Sequence, residues 1–153
     1  MRSVLCYGYG NPGRQDDGLG VALVEQLETW AMAEKIPGLT FDSNYQLNAE
    51  DALAIAGHDL VIFADATGEG ADAFAFRRLV PHATIAFSTH AMAPESVLAL
   101  CAELYGKQPP TWLLTIRGSA WEPNGALPAA AQANLAAAVV FLKEWLRRPP
   151  AAV

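Results

Sequence analysis

Apolar residues gather along the chain in two kinds of pattern. The first is the short unbroken run bounded by turn residues: Val4-Leu5-Cys6-Tyr7, stopped by glycines; Leu60-Val61-Ile62-Phe63-Ala64, ending at Asp65; and Trp112-Leu113-Leu114-Thr115-Ile116. Runs of this length with little or no polar alternation predict buried parallel strands, covered on both faces. Leu39-Thr40-Phe41-Asp42-Ser43, rich in β-branched and aromatic residues, predicts a further strand, and the weak alternation over 73–80 an edge strand.

The second pattern has the helical period. From Gly18 onward Leu19, Leu23, Leu27 and Trp30 fall on one side and Glu25, Gln26 and Glu28 on the other, which predicts a helix ending before Pro37-Gly38. A short helix follows Asn48, which can serve as its cap, with Glu50 and Asp51 in its first turn and Gly57 at its close. Residues 94–106 read as a helix with Val97, Leu98, Cys101 and Leu104 on one side. Residues 128–148 read as a long helix striped by Leu135, Val139, Leu142 and Leu146, with Pro128 in the first turn and Arg147 and Arg148 in the last, where the dipole favours them. The order of elements predicts an α/β three-layer sandwich over a single domain, 1–153: a mostly parallel, mixed sheet with helices on both faces and one edge strand open to an antiparallel course. Ligands of such sheets bind outside the carboxyl ends of the strands, where the chain switches direction, so the loops after Tyr7 and Ala64 are the ones to examine.

Composition narrows the function. With 153 residues, 52% of them apolar, the chain can bury a sizeable core. Ten lysines and arginines against sixteen acids give a net charge of -6, and no basic run exceeds Arg147-Arg148, so no nucleic-acid partner is expected. Cys6 and Cys101 lie in apolar surroundings without ligand spacing and read as buried free thiols of a reducing compartment. The apolar run after Arg2 stops at Gly8-Tyr9-Gly10-Asn11-Pro12, unlike a secretory signal, and the stretch 135–142 falls short of the roughly 20 residues a bilayer requires. A cytoplasmic protein without a membrane partner is expected.

Gly8-Tyr9-Gly10-Asn11-Pro12-Gly13 matches the dinucleotide fingerprint G-x-G-x-x-G, which raises a dinucleotide-binding oxidoreductase as one reading. Against it, Arg14-Gln15-Asp16-Asp17 intervene before the helix, and two carboxylates there repel phosphates; Asp42 also lies 29 residues past Gly13 rather than about 20. The same acids suit a cation, or else they cap the helix. Asp65 ends an apolar strand, and in a sheet ordered second-first-third it approaches Asp17. His90, in Ser88-Thr89-His90-Ala91-Met92, precedes a helix and can add an imidazole, whereas His58 and His82 sit at turns away from the crevice. Two acids and one nitrogen form a mixed set that borderline transition metals accept, with coordination positions left open. No serine or cysteine nucleophile is prepared: G-x-S-x-G is absent, and a buried apolar thiol is a poor nucleophile.

These segments resemble the hydrogenase maturation endopeptidases, which remove a C-terminal peptide from the large subunit of nickel–iron hydrogenases after nickel insertion. The resemblance rests on Gly8-Tyr9-Gly10-Asn11-Pro12 followed by Asp16-Asp17-Gly18-Leu19-Gly20, on Gln46-Leu47-Asn48-Ala49-Glu50, on Phe63-Ala64-Asp65-Ala66 and on Ser88-Thr89-His90. By it, Asp17, Asp65 and His90 correspond to the residues that contact the metal, and Asp17 and Asp65 carry the catalytic role. The family often has glutamate at the position of Asp17 and usually proline at that of Ala49, so the first ligand reaches less far here. The resemblance implies a peptidase, loosely of the aspartic type, acting on a hydrogenase large-subunit precursor. Nickel is carried by the substrate, and no nucleotide is needed. A non-catalytic nickel chaperone using the same ligands is the alternative.

Overall fold

Five strands form one sheet in the order β2-β1-β3-β5-β4. The structure is a computed structural model and describes residues 2–81 and 92–148. The strands are β1 (Val4–Tyr9), β2 (Leu39–Asn44), β3 (Leu60–Thr67), β4 (Phe74–Arg78) and β5 (Thr111–Arg117). All neighbours pair in parallel except β4, which runs antiparallel along β5 at the edge. The helices are α1 (Leu19–Ala33), α2 (Asp51–Ala56), α3 (Pro94–Tyr105) and α4 (Ala129–Arg147). The three-layer α/β sandwich expected from the hydrophobic pattern is the observed architecture.

Alternation along the central strands divides the core in two. Val4, Cys6, Leu60, Ile62, Ala64, Leu114 and Ile116 face α1 and α4. Leu5, Tyr7, Val61, Phe63 and Leu113 face α2 and α3. Each fully buried leucine or phenylalanine contributes roughly 2 kcal/mol from lost water contact. The two thiols lie in different cores, Cys6 beneath α1 and Cys101 in α3, both buried and free. Burial pushes the Cys6 thiol up to about 12, so it stays protonated and inert at neutral pH. Among the described residues no helix is long and apolar enough to cross a membrane.

Several local expectations are corrected. The first helix opens as a short 3-10 turn, Gln15–Gly18, and becomes α-helical only from Leu19. Asn48 does not cap α2: the helix starts at Asp51, and the Asp51 carboxylate reaches back to accept the Asn48 N–H at 2.8 Å. Leu104 is exposed, because it lies in the last turn of α3, beyond the contact that buries Val97, Leu98 and Cys101. Asp65 lies within β3 and does not end it. The strand continues to Thr67 because β5 pairs with it through Asp65↔Thr115, Ala66↔Ile116 and Thr67↔Arg117.

Candidate functional site

Pairing between β1 and β3 ends at Gly8↔Ala64, while β1 stays paired with β2 through Tyr9↔Asn44 and β3 stays paired with β5. The two central strands therefore part immediately before Tyr9 and Asp65. This opening lies where the first strand feeds α1 on one side and the sheet extends outward on the other, the switch point of a parallel sheet. Asp65 is partly exposed at its floor.

α1 comes close to this floor because glycines permit it. A Cβ at Gly20 would overlap the Ala64 carbonyl and approach the Asp65 Cα within 3.0 Å, and one at Gly8 would overlap the Gly20 carbonyl. Asp17, in the turn that leads into α1, is thereby carried to the rim of the same opening. Its Oδ2 accepts the Asn11 N–H at 2.8 Å. Gly10, with φ +136, lies against the Asp17 carbonyl in a space that no side chain could share.

Neither acid caps a helix; no side-chain cap bond exists at the start of the 3-10 turn or of α1. Asp16 is completely buried and turned the other way. Its Oδ2 accepts the N–H groups of Ser119 at 2.7 Å and Ala120 at 2.9 Å, and its own N–H donates to the Ala120 carbonyl at 3.0 Å. Gln15 extends this brace, its amide accepting the Glu122 N–H at 2.9 Å and donating to the Ala126 carbonyl at 3.2 Å. The loop bearing Asp17 is thus tied to the chain that follows β5. Of the two adjacent acids, the site reading from the sequence names Asp17; burial makes Asp16 a strut and leaves Asp17 partly exposed. The motif does not carry the strut role of Asp16, since its partners lie more than a hundred residues away.

Asp65 has an unusual environment. Burial first, and the nearby negative charge of Asp17 with it, raise its carboxyl from the ordinary carboxylate range to about 7, against the opposing pull of the Ala66 N–H, 2.8 Å from Oδ1, and of the nearby Tyr9 hydroxyl. Two acids whose charges act on one another across a partly dry opening would both gain from a cation between them. Tyr9 was not singled out from the sequence. The only available signal was its place as the last residue of β1, on the face that Asp65 also occupies.

His90 and His82 lie outside the described residues, as does Ser88. His58 lies before β3, at the amino end of the sheet, and its Nδ1 is 2.7 Å from the Ala54 carbonyl, far in the chain's course from the opening, as expected. Among the described residues no group of three histidine, cysteine or acidic side chains is arranged to hold a metal. The amides that a dinucleotide phosphate would require are already engaged: the Asn11 N–H by Asp17 and the Gly13 N–H by the Asn11 side chain at 2.8 Å.

No protein-family profile and no curated protein sequence matches the chain. Solved structures do. A nickel–iron hydrogenase maturation protease HycI from Thermococcus kodakarensis superposes with a TM-score of 0.74 at 22% identity, over 96% of this chain and 94% of its own. The hydrogenase maturating endopeptidase HybD from E. coli does so at 0.68 and 22% identity, over 96% and 93%. A hydrogenase 2 maturation peptidase from a Thaumarchaeota archaeon gives 0.69 at 20% identity, over 95% and 99%. With nearly complete coverage on both sides, this chain has the fold of the hydrogenase maturation endopeptidases.

Proposed function

We propose that the chain is a hydrogenase maturation endopeptidase, which removes the C-terminal extension of a nickel–iron hydrogenase large-subunit precursor once nickel has been inserted. The observation that carries this reading is the meeting of Asp17 and Asp65 at the opening between β1 and β3, in a fold shared end to end with such peptidases. The loop motifs around both acids resemble the same family.

In this reading nickel arrives with the substrate, and Asp17, Asp65 and His90 add ligands to it. The described chain resumes at Met92, whose N–H donates to the Leu47 carbonyl at 3.2 Å, just past the carboxyl end of β2. Asp17 is oriented by the Asn11 amide and Asp65 by the Ala66 amide, so neither carboxylate must be ordered at the moment of binding. Near neutrality Asp65 lies close to its midpoint, and it can take a proton from attacking water or bind the metal as an anion. A precursor lacking nickel would leave the two acids repelling one another and would bind poorly, which makes the metal the signal that insertion is complete.

The test is intact-mass measurement of a nickel-loaded precursor before and after incubation with the protein. Loss of the C-terminal peptide supports the peptidase; metal transfer without cleavage identifies a chaperone instead.

A further inference from the structure

Between the loop that joins β1 to α1 and the end of β2 lies a cleft of about 230 Å³. Gly10, Pro12 and Val21 line it from the one side, Ser43, Asn44 and Tyr45 from the other. Backbone contacts fix its shape. The Gly10 N–H donates to the Asn44 carbonyl at 3.1 Å, which ties the two sides together, and a Cβ on Gly18 would come within 2.7 Å of the Pro12 Cα, which seats Pro12 on the turn into α1. Asp17 adjoins the cleft: a Cβ on Gly10 would lie 3.6 Å from Asp17 Oδ1, while Oδ2 is held by the Asn11 amide at 2.8 Å. None of the six lining residues is charged. Val21 is buried, but Tyr45 leaves 70% of its surface exposed, although its N–H is anchored on Asn44 Oδ1 at 2.8 Å.

We propose that this cleft is a specificity subsite, which receives one apolar side chain of the precursor from a residue adjoining the bond that is cut, with Tyr45 supplying aromatic contact area. The inference rests on the reading of the chain as a hydrogenase-precursor peptidase, and adds what that peptidase selects beside the metal. Size sets the occupant. Whole ligands of drug size take roughly 300–1,000 Å³, so a smaller cleft accommodates a single side chain. Position sets where in the substrate it belongs, because Gly10 separates the cleft from Asp17 by the width of one residue, and a chain whose nickel meets Asp17 passes the cleft within a residue or so. Charge sets its chemistry. An acidic side chain would stand beside the Asp17 carboxylate with no counter-charge in the lining, and a basic one would give up water for a lining without an ionic partner while Asp17 serves the metal. An apolar side chain covers Val21, Pro12 and the exposed ring of Tyr45 at no such cost.

The experiment is an exchange of size between enzyme and substrate. The mass of the released peptide locates the cut bond, and the residue on each side of it is replaced in turn by glycine and by aspartate in the nickel-loaded precursor. Ser43→Phe narrows the cleft from an exposed position on the edge strand, so its melting temperature is expected to stay at the wild-type value. With the native precursor it is expected to lower kcat/KM about 10-fold, and with glycine at one of the two positions to cleave as fast as the wild type cleaves that same precursor. Aspartate at that position is expected to lower the wild-type kcat/KM by about 10-fold or more, and Tyr45→Ala to weaken cleavage of the native precursor while sparing the glycine variant. Undiminished cleavage by both Ser43→Phe and Tyr45→Ala, or a loss that neither glycine precursor restores, overturns the inference. If the wild-type protein cleaves no precursor, the proposed function fails. The chemistry of the cleft is then decided by NMR titration with the N-acetyl amides of leucine and of aspartate: shifts at Val21, Ser43 and Tyr45 with the first alone, lost in Ser43→Phe, uphold an apolar subsite, and no shifts, or equal shifts with both, overturn it.

Discussion

Gly20 and Ala64 touch through bare backbone: a Cβ at Gly20 would overlap the Ala64 carbonyl oxygen. That contact sets the distance between the start of α1, which follows Asp17, and the segment of β3 that bears Asp65. It ties the helix to the sheet at the point where the proposed chemistry occurs. Gly20→Ala is expected to cost about 1–3 kcal/mol in denaturant unfolding, as overpacking does, and to reduce processing more than its stability loss explains. Wild-type stability in this variant would mean that α1 can shift without cost, and that the close approach does not position the site.

Asp65 links the site to pH. Its carboxyl titrates near 7 in the folded protein and near 3.8 when unfolded. Between those values the folded state holds a proton that the unfolded chain has released, so stability falls as pH rises from about 4 to about 7. Asp65→Asn removes this penalty. Its unfolding free energy is expected to exceed that of the wild type by on the order of 2–4 kcal/mol at pH 8, and to converge with it near pH 4. Urea unfolding at several pH values checks this, and parallel pH profiles for the two proteins would contradict it.

Asp16 and Asp17 adjoin in sequence but differ in their surroundings. Asp16→Ala removes the buried acceptor that holds the Ser119 and Ala120 amides, and is expected to cost about 2–3 kcal/mol. Asp17→Asn keeps an acceptor for the Asn11 amide and is expected to fold with near wild-type stability while processing falls sharply. Thermal unfolding and processing measured side by side distinguish the roles; a reversed pattern would exchange strut and ligand.

Most of the architecture is legible in the hydrophobic pattern, because parallel strands buried on both faces leave unbroken runs such as 60–64 and amphipathic helices leave stripes such as Leu135, Val139, Leu142 and Leu146. The ends of elements are less so. β3 extends past its apolar run because β5, distant in sequence, supplies pairing partners for Asp65, Ala66 and Thr67. Asp17 and Asp65 are legible as candidates because acids stand where apolar strands and their loops end. The burial of Asp16 is not, since it depends on a loop more than a hundred residues away.

Among the histidines, His90 is the proposed ligand. The purified protein is expected to come largely metal-free and to take up Ni2+, Zn2+ or Cd2+ weakly, since three ligands leave the coordination sphere incomplete. Uptake is expected to weaken as pH falls through 7, from protonation of Asp65 and of an imidazole together. His90→Gln should remove the histidine part of that dependence and depress cleavage, whereas His58→Gln, whose ring meets the Ala54 carbonyl at the far end of the sheet, and His82→Gln should leave both near wild type. Loss of cleavage in His58→Gln with His90→Gln active would overturn the assignment.

The central claim is that this protein cuts a peptide bond in response to nickel held by its substrate. Its most direct test is the intact mass of a hydrogenase large-subunit precursor, nickel-loaded and nickel-free, after incubation with wild-type protein, Asp17→Asn or Asp65→Asn. Loss of the C-terminal extension is expected from the nickel-loaded precursor with the wild type alone, and an unchanged mass in every other combination. Equal cleavage with and without nickel, or normal processing by both aspartate variants, would contradict it.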